Sequence, residues 1–163
     1  VYRHPHVFGG AEAGSADAVL SNWEKLKLKE KDGNKSVLGG VPDALPALIK
    51  TFRIQGKARG VGFDWPEPAD AWKKVDEETA EFKGEVENGD RDKMEAEMGD
   101  LLFSVVNMAR LYDINPEDAL ERTNRKFIKR FAHIEQGAKA KGISVSELSL
   151  DEMEALWREA KRL

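Results

Sequence analysis

Apolar residues recur at spacings of three and four along most of the chain and nowhere alternate strictly, so the pattern predicts helices and no strand. Ser15 is placed to cap a helix running to about Lys31, with Val19, Leu20, Trp23 and Leu26 on one face. Asp32-Gly33-Asn34 breaks it. The loop that follows, through Gly39-Gly40-Val41-Pro42, lacks the spaced acids of a calcium loop. Pro46 suits the first position of a second helix, which continues through Leu48, Ile49 and Phe52 to about Arg59. Gly60-Val61-Gly62-Phe63-Asp64-Trp65-Pro66 reads as a loop whose aromatics either lie over a ligand or plug the end of a bundle.

Pro68 opens a third helix to about Asn88, with Trp72, Val75, Thr79, Phe82 and Val86 as its expected buried row. A turn leads to a fourth helix from about Asp92 to Tyr112. Its stretch Leu101 to Ala109 is apolar nearly all round, the mark of a buried helix. Asn115 and Pro116 start a fifth, to about Lys141, with Ala119, Leu120, Thr123, Phe127, Phe131 and Ile134 as its inner row. Gly142 ends it. Ser149-Leu150-Asp151-Glu152 is a capping-box pattern for a last helix carrying Met153, Leu156, Trp157 and Ala160. The expected fold is an all-α helical bundle over residues 15–163, preceded by an arm or linker at 1–14.

Acidic residues alter this picture. Glu77, Glu78 and Glu81 on the third helix, and Glu97 and Asp100 on the fourth, stack carboxylates one turn apart. Such like-charged pairs repel by a few tenths of a kcal/mol, roughly. On the third helix the acids fall opposite the apolar row, with Glu78 nearest the boundary. On the fourth, Lys93, Glu97, Asp100, Ser104 and Asn107 form the one sustained polar stripe, so Glu97 and Asp100 are expected to face a partly buried region. Buried carboxylates are costly unless paired or metal-bound. With no Cys in the chain, the clusters offer hard oxygen donors, which favour Mg²⁺ or Mn²⁺ over Zn²⁺. A ferritin-like di-iron site would need Glu-x-x-His pairs, which these helices lack. Mg²⁺ usually bridges carboxylates to substrate phosphates. Lys74 and Lys93 lie on the acidic stripes, and Lys126 and Arg130 lie one turn apart on the next helix; these are phosphate-binding residue types. His4 and His6 form a two-residue pair without a third ligand, a weak metal signal. A surface-charged bundle with exposed ion pairs accounts for Glu85, Glu87, Glu95 and most lysines. A non-catalytic nucleotide-binding or regulatory helical dimer stays open as well.

Composition narrows the classes. The chain has 163 residues, 40% hydrophobic and 34% charged, which suits one domain with a core and long exposed helix faces. A net charge of −4 gives no overall basic field to gather nucleic acid. No apolar run approaches the ~20 residues that span a bilayer, and the N-terminus has no signal-peptide pattern. The absence of cysteine is compatible with a reducing compartment, so a cytoplasmic, non-membrane protein is expected.

At these residues the chain resembles a known family. Glu77-Glu78-x-x-Glu81 followed by Glu97-x-x-Asp100 is similar to the signature of the MazG-type nucleoside triphosphate pyrophosphohydrolases. Asn22-Trp23-Glu24, Val61-Gly62-Phe63-Asp64-Trp65, Glu97-Met98-Gly99-Asp100-Leu101-Leu102-Phe103 and Asn124-Arg125-Lys126-Phe127 resemble further MazG segments. Arg3-His4-Pro5-His6-Val7-Phe8-Gly9 is similar to the linker between the two MazG domains of full-length members, so the chain looks like the C-terminal half. The resemblance implies an all-α homodimer (a higher oligomer is the variant), with helices packed across the interface. It also implies hydrolysis of NTPs and dNTPs to the monophosphate and pyrophosphate, including house-cleaning of non-standard nucleotides. A narrow dUTP or dCTP pyrophosphatase is the alternative. Carried over, Glu78, Glu81, Glu97 and Asp100 would be Mg²⁺ ligands, with Mn²⁺ as a substitute. Glu77 would orient or deprotonate water, or contact the nucleotide indirectly. Lys74, Lys93, Lys126 and Arg130 would contact the nucleotide or its phosphates, Asp100 would also be substrate-binding, and Trp157 would help form the site. Trp23 is a weaker candidate for base stacking.

Overall fold

The computed structural model of the chain describes residues 36–162. The helix expected from Ser15 to Lys31, the arm at 1–14, and with them Trp23 and the His4/His6 pair, lie outside the described residues. Five α-helices and no strand occur among the described residues: α1 (Ala47–Gly60), α2 (Pro68–Asn88), α3 (Arg91–Leu111), α4 (Pro116–Ala140) and α5 (Leu150–Ala160), with a 3₁₀ turn at Val145–Glu147. The all-α expectation therefore holds. The boundaries follow the local chemistry: Pro68 stands at the start of α2, and Pro46 is the N-cap of α1 rather than its first residue.

The chain divides into two compact units, one running through Pro116 and the other from Glu117. In the first, α2 and α3 pack along their lengths and α1 packs on α3. The hairpin between α2 and α3 is set by two residues. Gly89 adopts φ 72°, a left-handed conformation that glycine accepts without steric cost, and its N–H donates to Glu85 O at 3.0 Å. Asp90 then caps α3, accepting from the Lys93 N–H at 3.2 Å. Among the described residues of this unit, Ala71 and Val106 are the buried apolar side chains.

In the second unit Ile134, Ala138 and Leu148 form a small core, covered by Ile143, Val145, Met153, Leu156 and Trp157. Gly137 allows this closeness, because a Cβ there would lie 2.7 Å from a Leu156 methyl. The capping box expected before α5 is present: Ser149 accepts from the Glu152 N–H, and the Glu152 carboxylate accepts from the Ser149 N–H at 2.9 Å. A second box joins Ser144 and Glu147.

Of the three expected buried faces, that of α4 is largely open and those of α2 and α3 are open in part. On α3, Leu102 is 57% exposed, and Phe103 and Val105 are also exposed, so the helix is not buried all round. On α2, Trp72 and Val86 are exposed, and on α4 so are Ala119, Leu120, Thr123, Phe127 and Phe131. The periodicity located the apolar faces, but within each unit the neighbouring helix covers only part of each face. No helix among the described residues is long and apolar enough to cross a membrane.

Candidate metal and phosphate site

The α2–α3 hairpin brings the two acidic clusters together. Positions equally far from the Gly89-Asp90 connection lie level, which puts Glu81 across from Met98 and Glu78 across from Leu101, both within about one turn of Glu97. One carboxylate oxygen from each of Glu78, Glu81 and Glu97 lies within 4.8 Å of the others. Glu78 is buried at 5% exposure, Glu97 is half-buried and Glu81 is exposed. Asp100, three residues beyond Glu97, is exposed and stands outside this set of three, which departs from the partly buried setting expected for it. The cause is the open face of α3: Leu102 and Phe103 beside it are exposed too.

Glu81 lies among these like charges. Its carboxyl is held above the usual glutamate value, first by loss of solvent around it, then by Glu78, and further by Glu97 and Glu77. Lys74 partly compensates. Its ammonium donates to Glu77 Oε1 at 2.9 Å and pairs with Glu78 Oε1 at 2.6 Å, and these two carboxylates, Glu78 foremost, raise its pKa above the ordinary lysine value. Three hard oxygens, one of them on a buried carboxylate, with mutual repulsion among their groups, are what a divalent oxygen-seeking cation would relieve. The donor set fits such an ion.

The other expected phosphate-binding residues are distributed differently. Lys93 is exposed and its Nζ stands 3.6 Å from Asp90 Oδ2, so its nearest acid is the helix cap. In the second unit, Arg130 lies over the Trp157 ring at 5.6 Å from its centroid, and Phe127 meets the same ring at 5.1 Å. Lys126 is exposed one turn before Arg130. The Arg130–Trp157 pairing joins residues 27 apart, which no sequence spacing could indicate.

A second constellation was missed in the sequence. The loop after α1 is not an aromatic plug, because Phe63 is 82% exposed and Trp65 is exposed as well. It is tied down instead by Asp64, whose carboxylate makes a two-point ion pair with the guanidinium of buried Arg110, one contact being Nη1 to Oδ2 at 3.0 Å. Asn107 Oδ1 accepts from the same guanidinium at 2.8 Å. Gln55 Nε2 donates to the Phe103 carbonyl at 2.8 Å, while its Oε1 is buried without a hydrogen bond. A cavity of about 410 Å³ lies between α1, this loop and α3. An arginine just after the apolar stretch Leu101 to Ala109, and a single Asp in a glycine loop, were the available signals.

Helices without strands, carrying an oxygen-donor cluster across a two-helix hairpin, define an all-α protein with a candidate divalent-cation centre. Residues 68–135 match the MazG nucleotide pyrophosphohydrolase domain, a span that contains the hairpin and every residue of the cluster. Over this segment the chain is similar to the MazG family. It is 39% identical over 162 residues to a nucleoside triphosphate pyrophosphohydrolase/pyrophosphatase MazG of Thermotoga maritima, covering 99% of this chain and 61% of that protein. It is also 39% identical over 164 residues to a nucleoside triphosphate pyrophosphohydrolase of Escherichia coli K12, covering 98% of this chain and 62% of the relative. Identity reaches 47% over 163 residues with the uncharacterized protein YabN of Bacillus subtilis, of which the chain spans 33%. The chain thus spans about three fifths of the length of the first two relatives.

Proposed function

We propose that this chain is a Mg²⁺-dependent nucleoside triphosphate pyrophosphohydrolase, converting NTPs and dNTPs to the monophosphate and pyrophosphate. The observation that carries the reading is the meeting of Glu78, Glu81 and Glu97 oxygens within 4.8 Å across the hairpin, inside the segment that matches the nucleotide pyrophosphohydrolase domain. The names of the Thermotoga and Escherichia relatives support the substrate class.

In this reading Glu78, Glu81, Glu97 and, from one turn further on, Asp100 would hold the cation. When bound, a divalent cation supplies Lewis-acid polarisation of phosphate oxygens and a more acidic water. The chain's own residues do the rest. Glu77 is largely exposed beside the cluster and is placed to orient a water or take its proton. Lys74 and Lys93 supply positive charge that a polyphosphate needs beside so many acids; Lys126, Arg130 and Trp157, proposed as nucleotide contacts, belong to the second unit, where Arg130 lies over the Trp157 ring. A homodimer is part of the proposal, supported by the exposed apolar side chains Leu102, Phe103 and Val105 on α3, and so is a cytoplasmic setting.

The test is direct. Purified protein is incubated with a panel of NTPs and dNTPs and Mg²⁺, and the products are separated. Monophosphate and pyrophosphate are the expected products, with turnover abolished by EDTA. Release of orthophosphate and the diphosphate would overturn the reading.

A further inference from the structure

A protein cation already sits at the cluster. The Lys74 ammonium lies 2.6 Å from Glu78 Oε1 and 2.9 Å from Glu77 Oε1. An ordinary lysine–glutamate pair on a helix surface contributes little. This one differs in one partner: the Glu78 side chain is 7% exposed, against 36% for Lys74 and 54% for Glu77. A carboxylate so enclosed needs a compensating charge, and Lys74 reaches it from one turn earlier on the same helix.

The arrangement creates a conflict. Glu78 also contributes an oxygen to the group shared with Glu81 and Glu97. An ammonium and a divalent cation on one small carboxylate repel each other strongly at such distances, in a setting drier than bulk water. Glu77 resolves it. Its carboxylate stands outside the group of three yet already accepts from Lys74, so the flexible lysine stem can rotate its charge off Glu78 without losing every partner. Lys73, the adjacent position, pairs instead with Asp70 at 2.8 Å and takes no part in the cluster.

We propose that Lys74 is a resident counter-ion of the carboxylate cluster, competing with a divalent cation for Glu78 and leaving that carboxylate when the cation binds. The proposal rests on the reading of Glu78, Glu81 and Glu97 as a cation site. Its consequence is that one charge does two jobs in turn. Lys74 neutralises the buried acid while no metal is present, and is then free for an anionic ligand once the metal takes its place.

The test uses Mn²⁺ alone, without nucleotide, titrated calorimetrically into the wild-type protein and into Lys74→Met, Lys73→Met and Glu97→Gln variants. Lys74→Met keeps the stem and removes the charge, and should tighten Mn²⁺ binding on the order of tenfold. Lys73→Met makes the same change in net charge and should alter it less than about twofold. Unchanged or weaker Mn²⁺ binding by Lys74→Met, with wild-type binding intact and lost in Glu97→Gln, would overturn the counter-ion proposal and leave the metal site standing. Failure of the wild type itself to bind Mn²⁺ would overturn both. Should Lys74→Met prove poorly folded, the wild type answers alone. Its Lys74 ammonium signal, followed by nitrogen NMR, should shift on Mg²⁺ addition while the Lys73 signal stays in place. An unmoved Lys74 signal at saturating Mg²⁺ refutes the exchange.

Discussion

Glu78 is enclosed by its own helix pair, and a carboxylate in that position is tolerable only with a cation beside it. Replacing one acid of the cluster by its amide should therefore have opposite effects on chemistry and on folding. Glu97→Gln is expected to lower turnover by on the order of 100-fold or more, and Asp100→Asn to do likewise. For Glu97→Gln, thermal unfolding without metal should stay level or rise, because one of the charges that, after lost solvent and Glu78, lift the Glu81 carboxyl is removed. Steady-state kinetics beside a melting curve checks this; full activity in both variants would sink the metal-ligand assignment. Arg110 is the contrasting case, since it touches none of the cluster acids. Arg110→Ala takes this donor from the Asn107 oxygen and leaves the Asp64 carboxylate to Arg59, 3.5 Å away, and should cost about 2 kcal/mol in denaturant unfolding. A loss below about 0.5 kcal/mol would mean that this network does not fix the loop.

At the scale of elements, the clearest case is the start of α5. Lys141 Nζ donates to Glu152 Oε1 at 2.6 Å, and the Ser149 N–H and hydroxyl donate to Oε2, each at 2.9 Å. These bonds, that from Lys141 foremost, hold the Glu152 carboxyl down at about 2. A carboxyl depressed on folding stabilises above its unfolded value of 4.5, and that contribution fades as pH falls through about 2. Acid titration followed by helical circular dichroism should show a step in that window for the wild type and a smaller one for Glu152→Gln. Identical curves would remove the linkage. This element was fully legible in the sequence, because a capping box is a local pattern. The hairpin was legible for the same reason: Gly89 and Asp90 announce a turn, and the wheel of α2 put Glu78 nearest the apolar boundary, where it lies buried. Asp100 and the loop after α1 were less well read. Their exposure depends on what packs beyond α3 and α1, and helical periodicity carries no information on the far neighbour. The Asp64–Arg110 pair spans 46 positions, and its partners give no sign of each other along the chain.

For the molecule as a whole, the open apolar rows of α2, α3 and α4 are the main unexplained surface, with Leu102 57% and Phe127 56% exposed. Single exposed apolar residues are ordinary, but rows at helical spacing call for a partner surface. A homodimer is the expected occupant. Sedimentation equilibrium should give twice the chain mass at micromolar concentration, and Leu102→Glu should shift the protein toward monomer; a monomeric wild type would remove the dimer from the proposal. In the proposed reaction, water attacks the α-phosphorus of a nucleoside triphosphate at the Glu78, Glu81 and Glu97 cluster. Hydrolysis in heavy-oxygen water, read by mass spectrometry, tests it most directly. The expected result is label in the nucleoside monophosphate and unlabelled pyrophosphate, with no label transfer by Glu97→Gln. Label in pyrophosphate or orthophosphate instead, or undiminished labelling by the variant, would contradict it.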